Sequence, residues 1–275
     1  MAHKRYLICT DLDRTLLPNG LCPDSPHGLQ QFARLAAHPG VDIAYVTGRH
    51  RELVLEAIAE FRLPVPNYVL GDVGSTIYEI FDGRWRPWLD WQDEIAPCWA
   101  GVSHRDLIQL FADIEALQLQ EPGKQNDFKL SYYAPEACDH RTLLRKMQKR
   151  LNARGISASL SWSIDDLEHI GLLDVMPANA TKLHALEFLI ERKAYQHGNV
   201  VFSGDSGNDL PVLTSPLNAT LVANARDDVR EEAVQLAKKQ GNEQQLYLAK
   251  DNYSAGVVEG VLHYLPAARA WLISA

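Results

Sequence analysis

The strongest constraint on the fold is a rhythm of short apolar runs that stop at polar residues, each followed by a helical pattern. Tyr6-Leu7-Ile8-Cys9-Thr10 ends abruptly at Asp11, and Val41-Asp42-Ile43-Ala44-Tyr45-Val46 ends at Thr47-Gly48-Arg49. Runs that do not alternate suit parallel strands buried on both faces. Between them Leu29, Phe32, Leu35 and Ala36 recur at helical spacing until Pro39-Gly40. A second helix, with Leu53, Val54, Ala57, Ile58 and Phe61 inward, leads to a third strand around Tyr68-Val69-Leu70. Strand and helix in alternation predict a doubly wound, Rossmann-like parallel sheet.

The rhythm then breaks. Residues 77–88, with Asp82-Gly83 in the middle, predict a β-hairpin, because Asp-Gly supplies the positive φ of a tight turn. The next stretch predicts a helix over 103–117, a strand over 128–133, a helix over 135–153, and strands on either side of Asp165-Asp166. Helices and strands grouped in this way suggest an α+β insert. The alternation resumes with a helix opening at Thr181, a strand at Val200-Val201-Phe202, a helix after Gly207, a strand over 219–222, and helices from Asp227 and Ser254. The expected fold class is α/β, a doubly wound parallel-sheet core formed by 1–89 and 174–275, with an α+β cap inserted at 90–173. At ~150 residues per domain, the 275 residues suit two domains or one large one.

The net charge of −8 argues against nucleic acid or an anionic membrane as partner, since both need a basic surface. The stretch before Asp11 carries too few apolar residues for a secretory leader, whose apolar segment runs ~7–15 residues. No apolar run approaches the ~20 residues of a membrane span. A soluble, cytoplasmic protein acting as a monomer is expected. Cys9, Cys22, Cys98 and Cys138 form no Cys-x-x-Cys pair and are expected to be reduced thiols packed as small hydrophobes.

In open α/β sheets ligands sit beyond the carboxyl ends of the strands. The residues found there are Asp11-Leu12-Asp13-Arg14-Thr15, Thr47-Gly48-Arg49 and Gly204-Asp205-Ser206-Gly207-Asn208-Asp209, joined by Lys182 where the chain re-enters the core. Asp-x-Asp alone is a weak signal, because Asp is a common turn and capping residue. Three such segments of matching polarity are harder to explain structurally. Asp11, Asp13 and Asp205, with Asp209 near, would repel one another unless a cation lay between them. Oxygen ligands without nearby His or Cys point to a hard divalent ion such as Mg²⁺.

Given that ion, roles follow. Asp11 can attack phosphorus and form an acyl phosphate, splitting one displacement into two. Asp13 can protonate the leaving alcohol and then take a proton from the attacking water. A dehalogenase has no need of that second acid, so Asp13 favours phosphoryl transfer. The Thr47 hydroxyl and the backbone N–H groups of Gly48 and Arg49 can bind phosphoryl oxygens. Lys182 would neutralise nucleophile and phosphate, Asp205 and Asp209 would hold the metal with Asp11 and Asp13, and Asn208 would orient substrate.

These segments resemble the four motifs of the haloacid dehalogenase superfamily, and the insert's position resembles that of its C2B-capped phosphatases. Within these the chain is similar to the sucrose-phosphate phosphatases, through Tyr45-Val46-Thr47-Gly48-Arg49, Val73-Gly74-Ser75-Thr76-Ile77-Tyr78, Lys129-Leu130-Ser131-Tyr132, Asp174-Val175-Met176-Pro177, Gly204 to Asp209 and Val222-Ala223-Asn224-Ala225. The resemblance implies Mg²⁺-dependent hydrolysis of a disaccharide phosphate such as sucrose 6-phosphate, with Lys129, Ser131 and Tyr132 as sugar contacts. It also implies a cap that closes over the sugar, with hinges near Pro87 and residues 174–177, and a sugar-phosphate synthase as a possible partner. Two residues depart from the pattern: Leu183 stands where Gly is frequent, and Arg14 where Asn or Gly is common.

Competing readings are a phosphatase for mannosylfructose phosphate or mannosyl-3-phosphoglycerate, a phosphohexomutase, and a silent sugar-phosphate-binding or synthase-docking module. Isotopic water separates the mutase, because only hydrolysis puts solvent oxygen into phosphate. Intact Asp11, Asp13, Lys182 and Asp205 argue against the silent module. Elsewhere plain structural readings suffice. Asp227 and Asp228 suit helix capping, and Arg141, Arg145, Lys146, Lys149 and Arg150 suit the solvated face of an amphipathic helix. Trp85, Trp88, Trp91 and Trp99 suit packing at least as well as sugar stacking, and His50 has no visible partner.

Overall fold

The central sheet is built from both ends of the chain. The computed structural model describes residues 5–165 and 168–273. Its strands, in chain order, are β1 (Tyr6–Thr10), β2 (Val41–Val46), β3 (Tyr68–Gly71), β4 (Thr76–Phe81), β5 (Arg84–Pro87), β6 (Gln118–Leu119), β7 (Leu130–Pro135), β8 (Ala158–Asp165), β9 (Ile170–Pro177), β10 (Val200–Gly204), β11 (Asn218–Leu221) and β12 (Leu246–Leu248). Asp166 lies outside the described residues. Two compact units result, one from the chain up to Pro87 and from Lys182 onward, the other from Trp88–Thr181.

The first unit holds an eight-stranded sheet in the order β12-β11-β10-β1-β2-β3-β4-β5. Pairing is parallel from β12 to β3 and antiparallel through the β4–β5 hairpin at the edge. Asp82 and Gly83, at φ 50° and 71°, make the hairpin turn. Leu7, Ile8 and Cys9 of β1 are fully buried, as a strand flanked on both sides and covered on both faces requires. The chain leaves β1 in one direction through β2 and β3, and returns on its other side through β10 and β11. Strand order therefore reverses at β1, which makes its carboxyl end a topological switch point. Helices Gly28–Ala36 and Tyr253–Tyr264 pack together, and Phe32, Leu35, Val257, Val258 and Val261 join Ile8, Leu12 and Leu16 in one core cluster.

The second unit holds an antiparallel sheet in the order β6-β7-β9-β8. Helices His104–Phe111 and His140–Ala153 supply Leu107, Phe111, Leu143, Met147 and Leu151 to a cluster with Leu130, Tyr132, Leu173 and Val175. Arg141, Arg145, Lys146, Lys149 and Arg150 lie off that apolar stripe, and Arg150 pairs with Asp113. Trp91 and Trp99 are buried, so packing accounts for them.

Several boundaries differ from expectation. The helix expected over 135–153 begins at His140, because the Asp139 carboxylate caps it by accepting from Thr142 N–H. The helix expected over 103–117 stops at Phe111. β9 runs to Pro177, paired with Ala158, so 174–177 is strand, and the units divide at Thr181/Lys182 instead of 173/174. The helix after Gly207 is short, Leu210–Leu213, where the Thr214 and Ser215 hydroxyls donate to the Leu210 and Val212 carbonyls. β12 and the helix Ala268–Ile273 were not foreseen. Asp227 and Asp228 sit inside the first turn of Asp227–Gln240, after Arg226 at the cap position, and Asp228 pairs with Arg226. Cys22 is exposed rather than packed, and all four cysteines are free. Among the described residues no helix is long and apolar enough to cross a membrane.

Candidate active site

At the carboxyl end of β1 the chain turns sharply. Asp11 N–H still donates to Ser203 O of β10, while its carboxylate turns back to accept from Leu12 N–H at 2.7 Å. The other oxygen, Oδ2, accepts from Lys182 Nζ at 2.9 Å. Lys182 opens the helix Lys182–Lys193 and is 2% exposed. Its ammonium also donates to Asp209 Oδ1 at 2.8 Å and Asn208 Oδ1 at 3.3 Å. One buried cation thus joins motifs drawn from three distant parts of the sequence.

Asp209 serves the loop as much as the charge. Its Oδ2 accepts from the backbone N–H groups of Asp205 and Ser206 at 3.1 and 3.2 Å, which curls the loop after β10. Gly204 permits this closeness: a Cβ there would lie 2.6 Å from Asp209 Cγ. Asp205 is held by Thr15 Oγ1, which donates to its Oδ1 at 3.0 Å, and by Arg14, whose Nε is 3.5 Å from its Oδ2. Asp11, Asp205 and Asp209 each bring a carboxylate oxygen within 4.8 Å of the others. Such an all-oxygen donor set fits a hard divalent cation.

The electrostatics follow from this crowding. Burial, with the charges of Asp209 and Asp205 nearby, pushes Asp11 up to about 7 against the lowering pull of Lys182. Burial and Asp209 push Asp205 up to about 6, against Arg14, Thr15 and Lys182. Burial opposes the Lys182 ammonium, but Asp11 and Asp209 outweigh it and hold Lys182 above its ordinary value.

Asp13 differs. Arg49 Nε donates to its Oδ2 at 2.9 Å and Nη2 to its Oδ1 at 2.7 Å, with Asn19 Nδ2 on the same Oδ1 at 2.7 Å. Burial would raise this carboxyl, yet the Arg49 hydrogen bonds and charge, helped by Asn19, hold it below the usual carboxylate range. Arg49, expected to contact substrate, instead spends its guanidinium on Asp13 and on Leu53 O. Its backbone N–H donates to Thr47 Oγ1 at 3.2 Å. Thr47 itself is buried. The Asp72 and Val73 N–H groups donate to the Arg49 and Thr47 carbonyls at 3.1 Å each, fixing this loop from below. Both residues sit at positive φ, 50° and 59°, an unusual posture for a β-branched residue.

The second unit has its own polar cluster. Ser131 Oγ donates to Asp174 Oδ1 at 2.5 Å, and Lys129 Nζ lies 3.5 Å from the same oxygen and donates to Lys124 O at 3.2 Å. Tyr132 points to the other face, buried in the apolar cluster and edge-on to Phe111. Strand alternation dictates that separation, so Tyr132 is a core residue rather than a sugar contact. His50 has a partner after all, Glu52 at 3.0 Å. Asn19 and Arg14 went unrecognised as site residues. Their signal was the turn chemistry of Pro18-Asn19-Gly20 and the departure at position 14.

A buried carboxylate paired with a buried lysine, beside an all-oxygen acidic cluster at a switch point, fits a haloacid-dehalogenase-type phosphoric monoester hydrolase. The chain belongs to the sucrose-6F-phosphate phosphohydrolase family, whose model matches residues 4–265. It is 50% identical to a HAD-like hydrolase of Nitrosococcus oceani, over 98% of this chain and 74% of that one. It is 25% identical to the mannosylfructose-phosphate phosphatase of Agrobacterium fabrum, over 94% of this chain and 96% of that one. Among solved structures it shares the fold of the sucrose-phosphatase of Synechocystis sp. PCC6803 in complex with sucrose and phosphate, with a TM-score of 0.71, 24% identity and 95% and 98% of the two chains covered.

Proposed function

We propose that this chain is a Mg²⁺-dependent phosphatase of a disaccharide phosphate, with sucrose 6-phosphate the foremost candidate, acting through an aspartyl-phosphate on Asp11. The observation that carries the reading is Asp11 Oδ2 held 2.9 Å from Lys182 Nζ, with the Asp205 and Asp209 carboxylates alongside. Asp11 and Asp205 would hold the ion directly. The Asp209 oxygens already bind Lys182 and the loop amides, so it positions these groups more than it coordinates. The Asp13 carboxylate is committed to Arg49 and Asn19, which leaves its backbone oxygen as the donor it could offer. Bound there, Mg²⁺ supplies positive charge against a phosphate dianion approaching a carboxylate.

The chain's own groups do the rest. Lys182 orients Asp11 and shares its charge, Thr47 and Gly48 N–H hold phosphoryl oxygens, and Asp13 delivers a proton to the leaving sugar oxygen. Water then attacks the acyl phosphate with Asp13 as base, returning Asp11 to its carboxylate. Lys129 and Ser131 are proposed as sugar-recognising residues. The likeness to mannosylfructose-phosphate phosphatase supports other glycoside phosphates as second candidates.

Phosphate release from a panel of sugar phosphates tests the reading. Sucrose 6-phosphate should give the highest kcat/KM, with activity lost in excess chelator and restored by Mg²⁺. A higher kcat/KM for mannosylfructose phosphate would transfer the assignment to that sugar, and full activity in chelator would defeat the metal.

A further inference from the structure

We infer that Arg14 is a built-in counter-ion for Asp205 and sets how tightly the site takes a divalent cation; the inference rests on the Mg²⁺ reading above. Arg14 sits at φ 55°, in the left-handed region that residues with a Cβ mostly avoid. Two asparagines pin that backbone: Arg14 N–H donates to Asn19 Oδ1 at 2.7 Å, and Asn224 Nδ2 donates to Arg14 O at 2.6 Å. The conformation would suit Asn or Gly, yet the chain places a long cation there.

The held backbone aims that cation at the site. Arg14 Nε lies 3.5 Å from Asp205 Oδ2, the oxygen that Thr15 does not take. Asp205 is 5% exposed and the Arg14 side chain 53%, so the carboxylate is fixed and the guanidinium has solvent to move into. A cavity of about 210 Å³ adjoins them, bordered by Ser206, Asn224, Arg226, Asp228 and Glu232; Arg226 already holds Asp228, so Glu232 is the carboxylate that offers the Arg14 guanidinium a second berth. A divalent ion using Asp205 Oδ2 must share it with Arg14 or drive Arg14 off. Either way the guanidinium weakens cation binding, and it offsets the repulsion that Asp205 meets from Asp11 and Asp209.

Calorimetric titration of Mg²⁺ into the substrate-free protein tests this, using Arg14→Lys, Arg14→Gln and Arg14→Asn. Lys keeps the charge and should leave affinity within about twofold of the parent, while Gln and Asn should bind roughly three- to tenfold tighter, a range set by a half-exposed charge. Asn tolerates the left-handed backbone and Gln does not, so agreement between them separates charge from backbone strain. Thermal melts of each variant confirm folding. Unchanged or weaker Mg²⁺ binding in folded Gln and Asn variants overturns the role of Arg14 alone. Absence of Mg²⁺ binding by the parent overturns the metal reading and this inference with it.

Discussion

Arg49 holds the Asp13 carboxylate through two parallel hydrogen bonds, Nε to Oδ2 at 2.9 Å and Nη2 to Oδ1 at 2.7 Å. A carboxylate so held is ionised and cannot donate a proton. General acid catalysis therefore requires Arg49 to release Asp13 as the leaving oxygen gains charge. Asp13→Asn should lower kcat/KM on sugar phosphates by ~10²–10⁴-fold. The loss in kcat/KM, which does not contain the later water attack that Asp13 assists as base, should be much smaller with 4-nitrophenyl phosphate, whose phenolate leaves without a proton. Steady-state kinetics on both substrates check this; equal losses would contradict the acid role.

Lys182 is the cation for two buried carboxylates at 2.9 and 2.8 Å. Lys182→Met leaves both unpaired, which should cost ~3–5 kcal/mol in the metal-free protein near neutral pH. The deficit should shrink in acid, where protonation removes the stranded charges. Urea denaturation at two pH values measures it.

The Asp11 and Asp205 carboxyls, pushed to about 7 and about 6 from 3.8, give a signed pH effect. A carboxyl raised on folding costs nothing below its unfolded value. Its penalty grows as pH rises toward the folded value and is fully present above it. Metal-free stability should therefore decline between about pH 4 and pH 7 through these groups. Since Mg²⁺ competes with those protons, its stabilisation should be larger near pH 8 than near pH 5. Melting temperatures with Mg²⁺ and with chelator at both pH values show it.

Gly204→Ala places a methyl group against Asp209 Cγ at 2.6 Å. Asp209 must then shift, moving Lys182 and the Asp205 loop with it. A displacement near 1 Å should cost about 10²-fold in kcat, with no charged group altered. Kinetics of this variant, with a melt to confirm folding, give the value.

Much of this was legible in the residues. The unbroken run Tyr6–Thr10 announces a buried strand, and Asp11 at its end falls where switch-point ligands bind. The gathering of Asp11, Lys182, Asp205 and Asp209 could be expected because each follows a strand or opens a helix of the same sheet. What escaped were partnerships set by side-chain reach. Arg49 resembles a phosphate ligand in sequence, but Asp13 lies close enough to claim it. Asp209 resembles a metal ligand, but the amides of Asp205 and Ser206 take one of its oxygens. Strand alternation in the sequence already separates Tyr132 from Lys129 and Ser131; that its face is the apolar core was not legible. Helix ends were missed where caps such as Asp139 decide them.

The central claim is that Asp11 carries the phosphoryl group. Acid-quenched protein, taken during steady turnover of a sugar phosphate and digested for mass spectrometry, tests it directly. A phosphoryl group should appear on the peptide containing Asp11 and be lost in Asp11→Asn together with turnover. Phosphorylation at another residue, or substantial turnover by Asp11→Asn, would contradict it.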